Sequence, residues 1–492
     1  MTDTNWDTAP NATPPEAMWR EIFEGAFDAA SGPKYLALAR VLREAIGSGR
    51  AAPGAQLLPV RELAWQLKIT PGTVARAYQI VSQEGLLEAV VGRGTFVARS
   101  QPRLGPTQPL YEDRLPEFDR VRDRGASHGP VDLRSPQLPD LGQLSSISNV
   151  LQDVAQNIGP EYLHYPDMRR DLPAREAVAQ WLRGRMPVTA GADDIVLTTG
   201  GQNGINLILS CCLRGERPVV ITEELSYPGF RHAARLNRAE VVGVPLDGDG
   251  MRADALDLAC RRLNAQVICL TTEAQNPTTV RMPAERRAEI VRVARAHNLQ
   301  IIEDDCYETP DISVVPLRQL APERTWQVVS LSKTISAGLR FGAVVCPDGM
   351  GETGRLAGQH SHFGVSRLVV DVVERLIRSG EVERLSALVH AEMGRRLMMM
   401  VEAFAKYEIA WQPGLSFMWL KMPIGWRAST FARMAESEGV LLRSADEYAL
   451  HDGAAPNAVR IAIAGGIAEG RFVSAIVRLA RLLENPPGDL PV

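Results

Sequence analysis

The first hundred residues contain three stretches in which apolar side chains recur at the spacing of a helix. In the first stretch the apolar residues are Leu38, Val41, Leu42 and Ala45. Gly47 is expected to end that helix, and a second helix is predicted after Pro59. The third helix is predicted after Thr70, a residue type that caps helices, because a proline follows at the first helical position. The pattern therefore predicts a unit of three short helices.

The segment after the third helix changes to the pattern of strands. Residues 86–91 and 95–98 are short strand-like runs, and a Gly-Arg-Gly turn joins them. Three helices followed by a glycine-tipped hairpin predict a winged helix-turn-helix, which is mainly α with a β-hairpin wing. In that fold the third helix enters the major groove of DNA, and the wing lies along the backbone or in the minor groove.

In the second half of the chain, strand-like apolar runs end in residues that can carry chemistry. Lys333 follows the run from Trp326 to Leu331, and Arg340 lies seven positions further on. A lysine can form a Schiff base with the aldehyde of pyridoxal phosphate, and the planar donors of an arginine match phosphate oxygens in pairs. A lysine and an arginine at this spacing could equally be two solvated charges, so other segments must decide.

Three other segments supply the remaining chemistry. Asp304 ends an apolar strand, and a carboxylate beside the pyridine nitrogen would keep that nitrogen protonated. Asn276 follows the apolar run 267–270 and could donate to the phenolic oxygen of the ring, as could Tyr307. Residues 197–204 have the pattern of a strand, a glycine turn and a helix start, where free backbone amides bind phosphate. Acids at strand ends are often caps, but the four elements in this order predict a pyridoxal 5'-phosphate site.

With these segments, residues from about 131 to 485 resemble a fold-type I, aspartate-aminotransferase-like domain. The resemblance implies an α/β domain with a mostly parallel central sheet. It implies that Lys333 is the catalytic, Schiff-base lysine, that Asp304 is the partner of the pyridine nitrogen, and that Asn276 and Tyr307 contact the phenolic oxygen. It also implies the residues that hold the phosphate, which are Gly201, Gln202, Ser330, Ser332 and Arg340.

The same resemblance gives roles to three more residues. Tyr227 matches the aromatic residue that stacks on the cofactor ring, although a tyrosine before Pro-Gly is also ordinary loop packing. Arg460 matches the arginine that binds a substrate carboxylate, and the alternative is an arginine that anchors its strand. Tyr165 matches a tyrosine that reaches the cofactor phosphate of the partner subunit. Arg170 and Thr279 stand where glycines are usual, which puts the shape of two loops in question.

Residues 31–99 resemble the GntR family of bacterial DNA-binding domains. The stretches that carry the resemblance are 58–64, 73–78 and 92–97. It implies that six residues contact DNA, namely Arg61, Thr73, Arg76, Arg93, Gly94 and Thr95. Many relatives have an arginine early in the recognition helix where this chain has Pro71-Gly72, so a sequence preference cannot be carried over. Each arginine is as well suited to a phosphate as to a base edge.

A chain of 492 residues is too long for one core and predicts a multidomain protein. Four segments are expected, which are an acidic extension (1–30), the winged helix-turn-helix (31–99), a linker rich in proline, glycine and charge (100–130), and the aminotransferase-like body (131–488). The net charge of −4 hides an asymmetry, because residues 31–100 hold nine basic residues against four acidic ones. A basic segment on an acidic whole suggests a module that faces nucleic acid.

The composition also bounds the compartment. No apolar run approaches the length of a membrane span, and the first residues do not form a signal peptide. The six cysteines have no metal-ligand spacing and are expected to be reduced thiols. The sequence therefore predicts a cytoplasmic protein without a membrane partner or a metal site.

A GntR-like head joined to an aminotransferase-like body is the arrangement of the MocR subfamily of transcription regulators. The resemblance implies a homodimer that binds a double-stranded DNA operator and senses an amine or amino-acid effector, held by Arg460, through external aldimine formation. The competing class is a working aminotransferase with an appended head, since Lys333 could serve as a general base. A metabolic enzyme has no need of a base-reading helix, which favours the regulator. A third class is a DNA-binding protein whose body serves only dimerisation.

Overall fold

The computed structural model describes residues 19, 22, 23, 33–90, 94–98, 129–167, 170–185, 190–307, 313–450 and 455–487. The chain divides into two compact units, residues 1–116 and 117–492. We call the first unit the head and the second the body. The predicted linker, residues 100–130, lies almost wholly outside the described residues.

The described elements of the head include three complete helices and a β-hairpin. Its elements are α1 (Lys34–Gly47), α2 (Val60–Gln66), α3 (Pro71–Gln83), β1 (Leu87–Val90) and β2 (Gly94–Val97). The start of α3 agrees with the sequence prediction, because the Thr73 amide donates to Thr70 Oγ1 at 3.3 Å and Pro71 takes the first helical position. The two strands pair antiparallel, as expected for a wing. The winged helix-turn-helix prediction is confirmed.

Two features of the head lie outside the predicted elements. Residues 54–57 run beside β2, where the Leu57 amide donates to the Thr95 carbonyl oxygen at 2.8 Å, so a third segment supports the wing. Trp19 is buried in the core of the head, and its indole N–H donates to the Gln56 carbonyl oxygen at 2.7 Å. Its ring also stacks on Phe23. Part of the segment predicted as an acidic extension therefore packs in the head.

The body contains two main sheets and the helices that cover them. Its strands are β3 (Val131–Asp132), β4 (Ile195–Thr198), β5 (Val219–Glu223), β6 (Glu240–Val244), β7 (Leu246–Asp247), β8 (Gly250–Met251), β9 (Ala265–Leu270), β10 (Gln300–Asp304), β11 (Thr325–Ser330), β12 (Gly342–Val345), β13 (Ile409–Ala410), β14 (Phe417–Lys421), β15 (Val440–Leu441), β16 (Arg443–Ser444) and β17 (Ala458–Ala462). Its helices are α4 (Gln143–Gln156), α5 (Leu172–Arg185), α6 (Gly201–Cys212), α7 (Pro228–Leu236), α8 (Ala253–Arg262), α9 (Ala284–Ala296), α10 (Leu317–Leu320), α11 (Gly351–His362), α12 (Arg367–Arg378), α13 (Glu381–Phe404), α14 (Ala428–Ser437) and α15 (Glu469–Glu484).

The larger sheet has seven strands in the order β4-β12-β11-β10-β9-β5-β6. Only β12 runs antiparallel to its neighbours, and every other pair is parallel. The strands β4, β5, β11 and β12 are buried along their whole length, as expected for a sheet covered by helices on both faces. The carboxyl ends of the parallel strands therefore meet at one edge, and β12 begins at that edge. Ligands of open α/β sheets bind outside this edge.

The smaller sheet is antiparallel, in the order β13-β14-β17-β16. Its core is shared with α13, α14 and α15, which contribute the fully buried Phe404, Phe431 and Phe472. This C-terminal lobe places Arg460 at the middle of β17, between β14 and β16. A mostly parallel central sheet with an added α/β lobe confirms the predicted fold class.

Two further findings concern the whole described chain. No described helix combines the length and apolar character needed to cross a membrane. All six cysteines carry free thiols. Cys211 and Cys212 lie in the apolar helix α6, and Cys346 directly follows β12.

Candidate functional site

The turn between β4 and α6 builds the first wall of the site. Gly200 has a φ of +90°, in the region that favours glycine, and Gly201 and Gln202 form the first turn of α6. Amides in a first helical turn have no partner within the helix and can bind an anion. A Cβ at Gly200 would lie 2.6 Å from Nη2 of Arg340, so the arginine side chain lies directly against this turn.

The ends of β11 and β12 complete that wall. The Ser330 hydroxyl lies 2.9 Å from Ser332 Oγ and accepts the Ser332 amide at 3.2 Å. Gly342 pairs with Ser330 in the sheet, and a Cβ at Gly342 would lie 3.1 Å from Gly200 Cα. The structure thus brings together three distant segments. We call their residues the phosphate cup, which consists of Gly200, Gly201, Gln202, Ser330, Ser332 and Arg340.

Asp304 and Lys333 lie at the same edge of the sheet. Asp304 ends β10, and its Oδ1 accepts the Cys306 amide at 3.1 Å. Burial raises the pKa of the Asp304 carboxyl, while the Cys306 hydrogen bonds and the charge of Lys333 act in the opposite direction. Lys333 Nζ lies 5.5 Å from the centre of the Tyr307 ring. Since a nearby cation favours the carboxylate, a cationic ring nitrogen at this place would lower the pKa of Asp304 in the same way.

Tyr227 closes the site from the side of β5. It precedes α7, packs edge-to-face on Phe230 at 5.8 Å, and is partly buried. Burial raises the pKa of Tyr227, and the negative charge of Asp304 acts in the same direction, so the two groups are near each other. A Cβ at Gly229 would lie 2.1 Å from both the Tyr227 ring and Gln202 Oε1. The glycine is therefore required for the ring to lie against the phosphate cup.

The phosphate cup fits pyridoxal 5'-phosphate. Its donors are first-turn amides, two hydroxyls and one guanidinium, a set that matches a phosphate. Gln202 Oε1 is buried and has no hydrogen-bond partner in the described chain, although its Nε2 donates to the Gly229 carbonyl oxygen at 2.8 Å. A Cβ at Gly201 would lie 2.7 Å from Cys306 Sγ, which leaves no room for a larger residue there.

Asn276 and Tyr307 connect the cofactor side of the site to the C-terminal lobe. Asn276 Oδ1 accepts Arg460 Nη1 at 2.7 Å, so the amide nitrogen of Asn276 is its remaining donor group. The Tyr307 side chain lies near Arg460, and its ring packs edge-to-face on Phe417 at 5.2 Å. The Arg460 guanidinium lies 4.5 Å from the centre of the Phe417 ring and 5.5 Å from that of Tyr448. Because the resemblance predicts that Arg460 binds the effector, we call Asn276, Tyr307, Phe417, Tyr448 and Arg460 the effector pocket.

The contacts of Arg460 bear on its two predicted roles. The side chain is 5 % exposed, and its Nη1 donates to Asn276 Oδ1 rather than to the backbone of its own sheet. Its Nε is buried and finds no partner among the described atoms. The binding of a ligand carboxylate by Arg460 stays a prediction.

Thr279 and Tyr165 differ from the other predicted site residues. Thr279 departs from the family pattern, and Tyr165 lies far from the site. Thr279 has a φ of +68°, a backbone conformation that strains a β-branched residue and explains why a glycine is usual. Tyr165 is 76 % exposed and stacks on Phe363 at 5.1 Å. The structure does not place Tyr165 at the site of its own chain, and its role at the phosphate of a partner subunit stays a prediction.

The predicted DNA-binding residues lie in the head. Arg61 and Arg76 are exposed, and Arg76 lies over the Tyr35 ring at 4.4 Å. The Thr73 hydroxyl is 2.9 Å from Thr70 Oγ1, so it is partly engaged in the cap of α3. Gly94 and Thr95 begin β2. The list is completed by Arg93, which lies outside the described residues.

The scarcity of lysine is a further signal in the sequence. The chain has only five lysines, and Lys333 is the single lysine between residues 69 and 405. The two other lysines of the body are on the surface, where Lys406 pairs with Glu484 and Lys421 with Glu408. The scarcity of lysine alone would have pointed to Lys333.

Each of the two units matches a family of known proteins. The model of the class I and II aminotransferases matches residues 129–470, and the model of the bacterial regulatory proteins of the gntR family matches residues 34–97. YdeF of Bacillus subtilis (strain 168), named an uncharacterised HTH-type transcriptional regulator, is 27% identical over 466 residues, which are 94% of this chain and 96% of that protein. The vitamin B6 salvage pathway transcriptional repressor PtsJ of Salmonella typhimurium is 26% identical over 424 residues, or 83% of this chain and 89% of that protein.

Solved structures match the body. The α-aminoadipate aminotransferase LysN from Thermus thermophilus, complexed with N-(5'-phosphopyridoxyl)-L-leucine, has a TM-score of 0.62 and 23% identity. The match covers 72% of this chain and 92% of that chain and shows that the two share a fold. The chain thus belongs to the class I and II aminotransferase family, and a gntR-family helix-turn-helix precedes its aminotransferase domain.

Proposed function

We propose that this protein is a pyridoxal-phosphate-dependent transcription regulator that binds DNA through its head and an amino acid or amine through its body. The observation that carries the proposal is the combination of a gntR-family head with a body that retains Lys333, Asp304 and the phosphate cup. A body that served only dimerisation would have no need of these residues.

The bound cofactor supplies an aldehyde that bonds covalently to amines. Lys333 would provide the amine that holds the cofactor, and Asp304 would keep the ring nitrogen protonated. The phosphate cup would anchor the opposite end, and Tyr227 would cover one face of the ring. When it is not bonded to the cofactor, the Lys333 side chain could accept or return a proton.

Arg460 offers a route from the effector to the shape of the body. It belongs to the C-terminal lobe, and its bond to Asn276 joins that lobe to a loop at the edge of the large sheet. An effector carboxylate competes with Asn276 for the donors of Arg460, so the link between the lobe and the sheet changes when the effector binds. Regulation needs only that the effector binds two arrangements of the body with different affinity.

The head would contact DNA through Arg61, Thr73, Arg76, Arg93, Gly94 and Thr95. In a homodimer each head would read one half-site, and the half-site spacing would follow from the spacing of the two heads. Arg61→Ala and Arg76→Ala are expected to weaken DNA binding and to reduce its salt dependence, because each removes a cation at the phosphate backbone.

The test is DNA binding by the full-length, cofactor-loaded protein. Fluorescence anisotropy with DNA from upstream of its own gene, repeated with a panel of amino acids and amines, should reveal an effector that changes the affinity by roughly 5- to 150-fold. Lys333→Ala should keep DNA binding and lose the effector response. Lys406→Ala, a surface lysine, is the matched control and should keep both. A Lys333→Ala protein with a normal effector response would contradict the proposal.

An active aminotransferase is the second candidate, and the observation that favours it is that Lys333, Asp304 and Arg460 come together at one site. Lys333 would then act as the general base of proton transfer. Incubation with amino acids and a keto acid, followed by quantification of the products, separates the two functions. Product in large molar excess over the protein would favour the enzyme, and one equivalent or less would favour the regulator.

A further inference from the structure

Arg443 lies directly opposite Arg460 in the antiparallel pair of β16 and β17. Side chains at such positions point to the same face of a sheet, with Cβ atoms roughly 4.5–5.5 Å apart, and like charges placed opposite each other are destabilising. The Arg443 side chain is only 16 % exposed, so solvent screens this repulsion poorly. Two arginines in this arrangement require an anion.

The protein supplies only part of that anion. Glu447 Oε2 lies 3.5 Å from Arg443 Nη1, but the Glu447 side chain is 43 % exposed, so the pair is well hydrated and weak. Arg134 lies in the same neighbourhood and is already paired with Asp132 at 2.9 Å. The described residues around Arg443 and Arg460 therefore do not neutralise the positive charge of the two arginines.

Three polar groups at this place lack partners. Arg443 Nε, Arg460 Nε and Tyr448 Oη are all buried and form no hydrogen bond with any described residue. The Tyr448 side chain is 1 % exposed and lies beside Arg460. Native proteins rarely leave buried donors unsatisfied, and three such donors close to one another favour a ligand that accepts hydrogen bonds.

We propose that the effector is an amino acid with a second acidic group, and that Arg443 together with Tyr448 binds that second group. This inference rests on the proposed function, in which the amine of the effector reacts at the cofactor beside Lys333. Arg460 takes the α-carboxylate, because it is the arginine bonded to Asn276 at the cofactor side. Arg443, opposite Arg460 on the edge strand β16, takes the side-chain acid.

The α-carboxylate would pair with Arg460, and the second carboxylate would replace the half-exposed Glu447 as the partner of Arg443. An effector with a single carboxylate would satisfy Arg460 and leave Arg443 Nε buried and unpaired.

The experiment compares acidic amino acids with apolar ones of the same length. L-glutamate with L-norvaline, and L-aspartate with L-2-aminobutyrate, are titrated into the cofactor-loaded full-length protein. Binding is followed by visible absorption and by the thermal unfolding midpoint. The wild type should prefer one acidic member over its apolar counterpart by roughly 10- to 100-fold, as expected for hydrogen bonds to charged groups.

Arg443→Gln should remove that preference and leave the affinity for the apolar amino acid within about threefold, since the α-carboxylate and amine contacts remain. Arg443→Lys should restore part of the preference. Arg433→Gln, an exposed arginine of α14, is the matched control and should behave as the wild type. Glutarate, which has two carboxylates and no amine, should compete with the acidic effector in the wild type and lose this ability in Arg443→Gln.

A wild type that binds each acidic amino acid no better than its apolar counterpart overturns the inference. An Arg443→Gln protein whose affinities for the acidic and the apolar amino acid of a pair fall equally also overturns it. Failure of the proposed function has a different signature, in which no amino acid or amine changes the absorption of the cofactor. Glutarate binding separates the two cases further, because it does not depend on any reaction at Lys333.

Discussion

The phosphate cup and the effector pocket are built in different ways. The phosphate cup uses backbone amides, short hydroxyls and glycines that leave no space for a Cβ. The effector pocket uses long side chains, and two of its polar groups, Arg460 Nε and Tyr448 Oη, have no partner in the described chain. The first region is preorganised for one rigid group. The second holds donors that the proposed effector would satisfy, so we expect selectivity to reside there.

The largest expected effect comes from Gly200→Ala. A Cβ there would meet Arg340 Nη2 at 2.6 Å, and the positive φ of +90° disfavours alanine. Displacing the Arg340 guanidinium and straining the turn should weaken cofactor binding by about 100-fold or more. Gly394→Ala, in α13 with open space at its Cβ, is the control and should load normally. If Gly200→Ala bound the cofactor normally in equilibrium dialysis, the phosphate cup would not be preorganised for the cofactor. The contrast with the effector pocket would then fail.

Arg460→Gln tests the effector pocket in the same way. It should lower the affinity for amino acids by roughly 10- to 100-fold, because a charge-assisted hydrogen bond to the carboxylate is lost. Amines without a carboxylate should bind as before, and cofactor loading should not change. Absorption titrations with an amino acid and its decarboxylated amine measure both. Equal weakening of the two ligands would show that Arg460 only supports the fold.

Glu223 bonds to the loop that carries Asn276, and its contribution to the free energy of unfolding depends on pH. Burial raises the pKa of Glu223 to about 8, against the opposing hydrogen bond from Gln275 Nε2 at 3.0 Å. The folded state therefore holds a proton that the unfolded state releases above its ordinary pKa of 4.5. Stability from this group is complete at low pH and is lost as the pH rises towards 8.

Glu223→Gln should remove that loss. Relative to the variant, the wild type should lose about 2 kcal/mol of unfolding free energy between pH 5 and pH 7, at ~1.4 kcal/mol per pH unit. Urea unfolding of the two proteins at several pH values measures the difference. A wild type and variant whose stabilities change in parallel would show that Glu223 ionises freely in the folded chain.

Tyr448→Phe should have the smallest effect. It should raise the stability of the protein and weaken the binding of the ligand. The Tyr448 hydroxyl is buried without a partner in the described chain, so its removal should raise the unfolding free energy of the ligand-free protein by up to about 1 kcal/mol. The same change should weaken the binding of acidic amino acids severalfold. Thermal unfolding with and without L-glutamate checks both. A loss of stability without ligand would mean that the hydroxyl has a partner after all.

Much of the phosphate cup could be predicted because its residues lie in short local patterns. Gly201 and Gln202 follow a strand directly, and Lys333 and Arg340 are only seven positions apart. In the head, Thr70 and Pro71 mark the start of α3 for the same reason. Local backbone preferences and hydrophobic spacing determine such features, so one sequence is sufficient.

The effector pocket could be predicted only in part, because strand register decides it. Arg460 matched a family pattern, but nothing in the sequence places Arg443 opposite it across β16 and β17. The burial of Trp19 in the head depends in the same way on a contact with Gln56, 37 positions away. Antiparallel insertion of β12 between β4 and β11 is likewise a property of the assembled sheet. Pairings between distant segments have no local signature.

The central claim is that Lys333 carries the cofactor. Borohydride reduction of the cofactor-loaded protein, followed by peptide mass spectrometry, tests it directly because the chain has only five lysines. We expect one stable adduct, on Lys333, and none on Lys34, Lys68, Lys406 or Lys421. The absence of an adduct, or an adduct on a surface lysine in place of Lys333, would contradict the account.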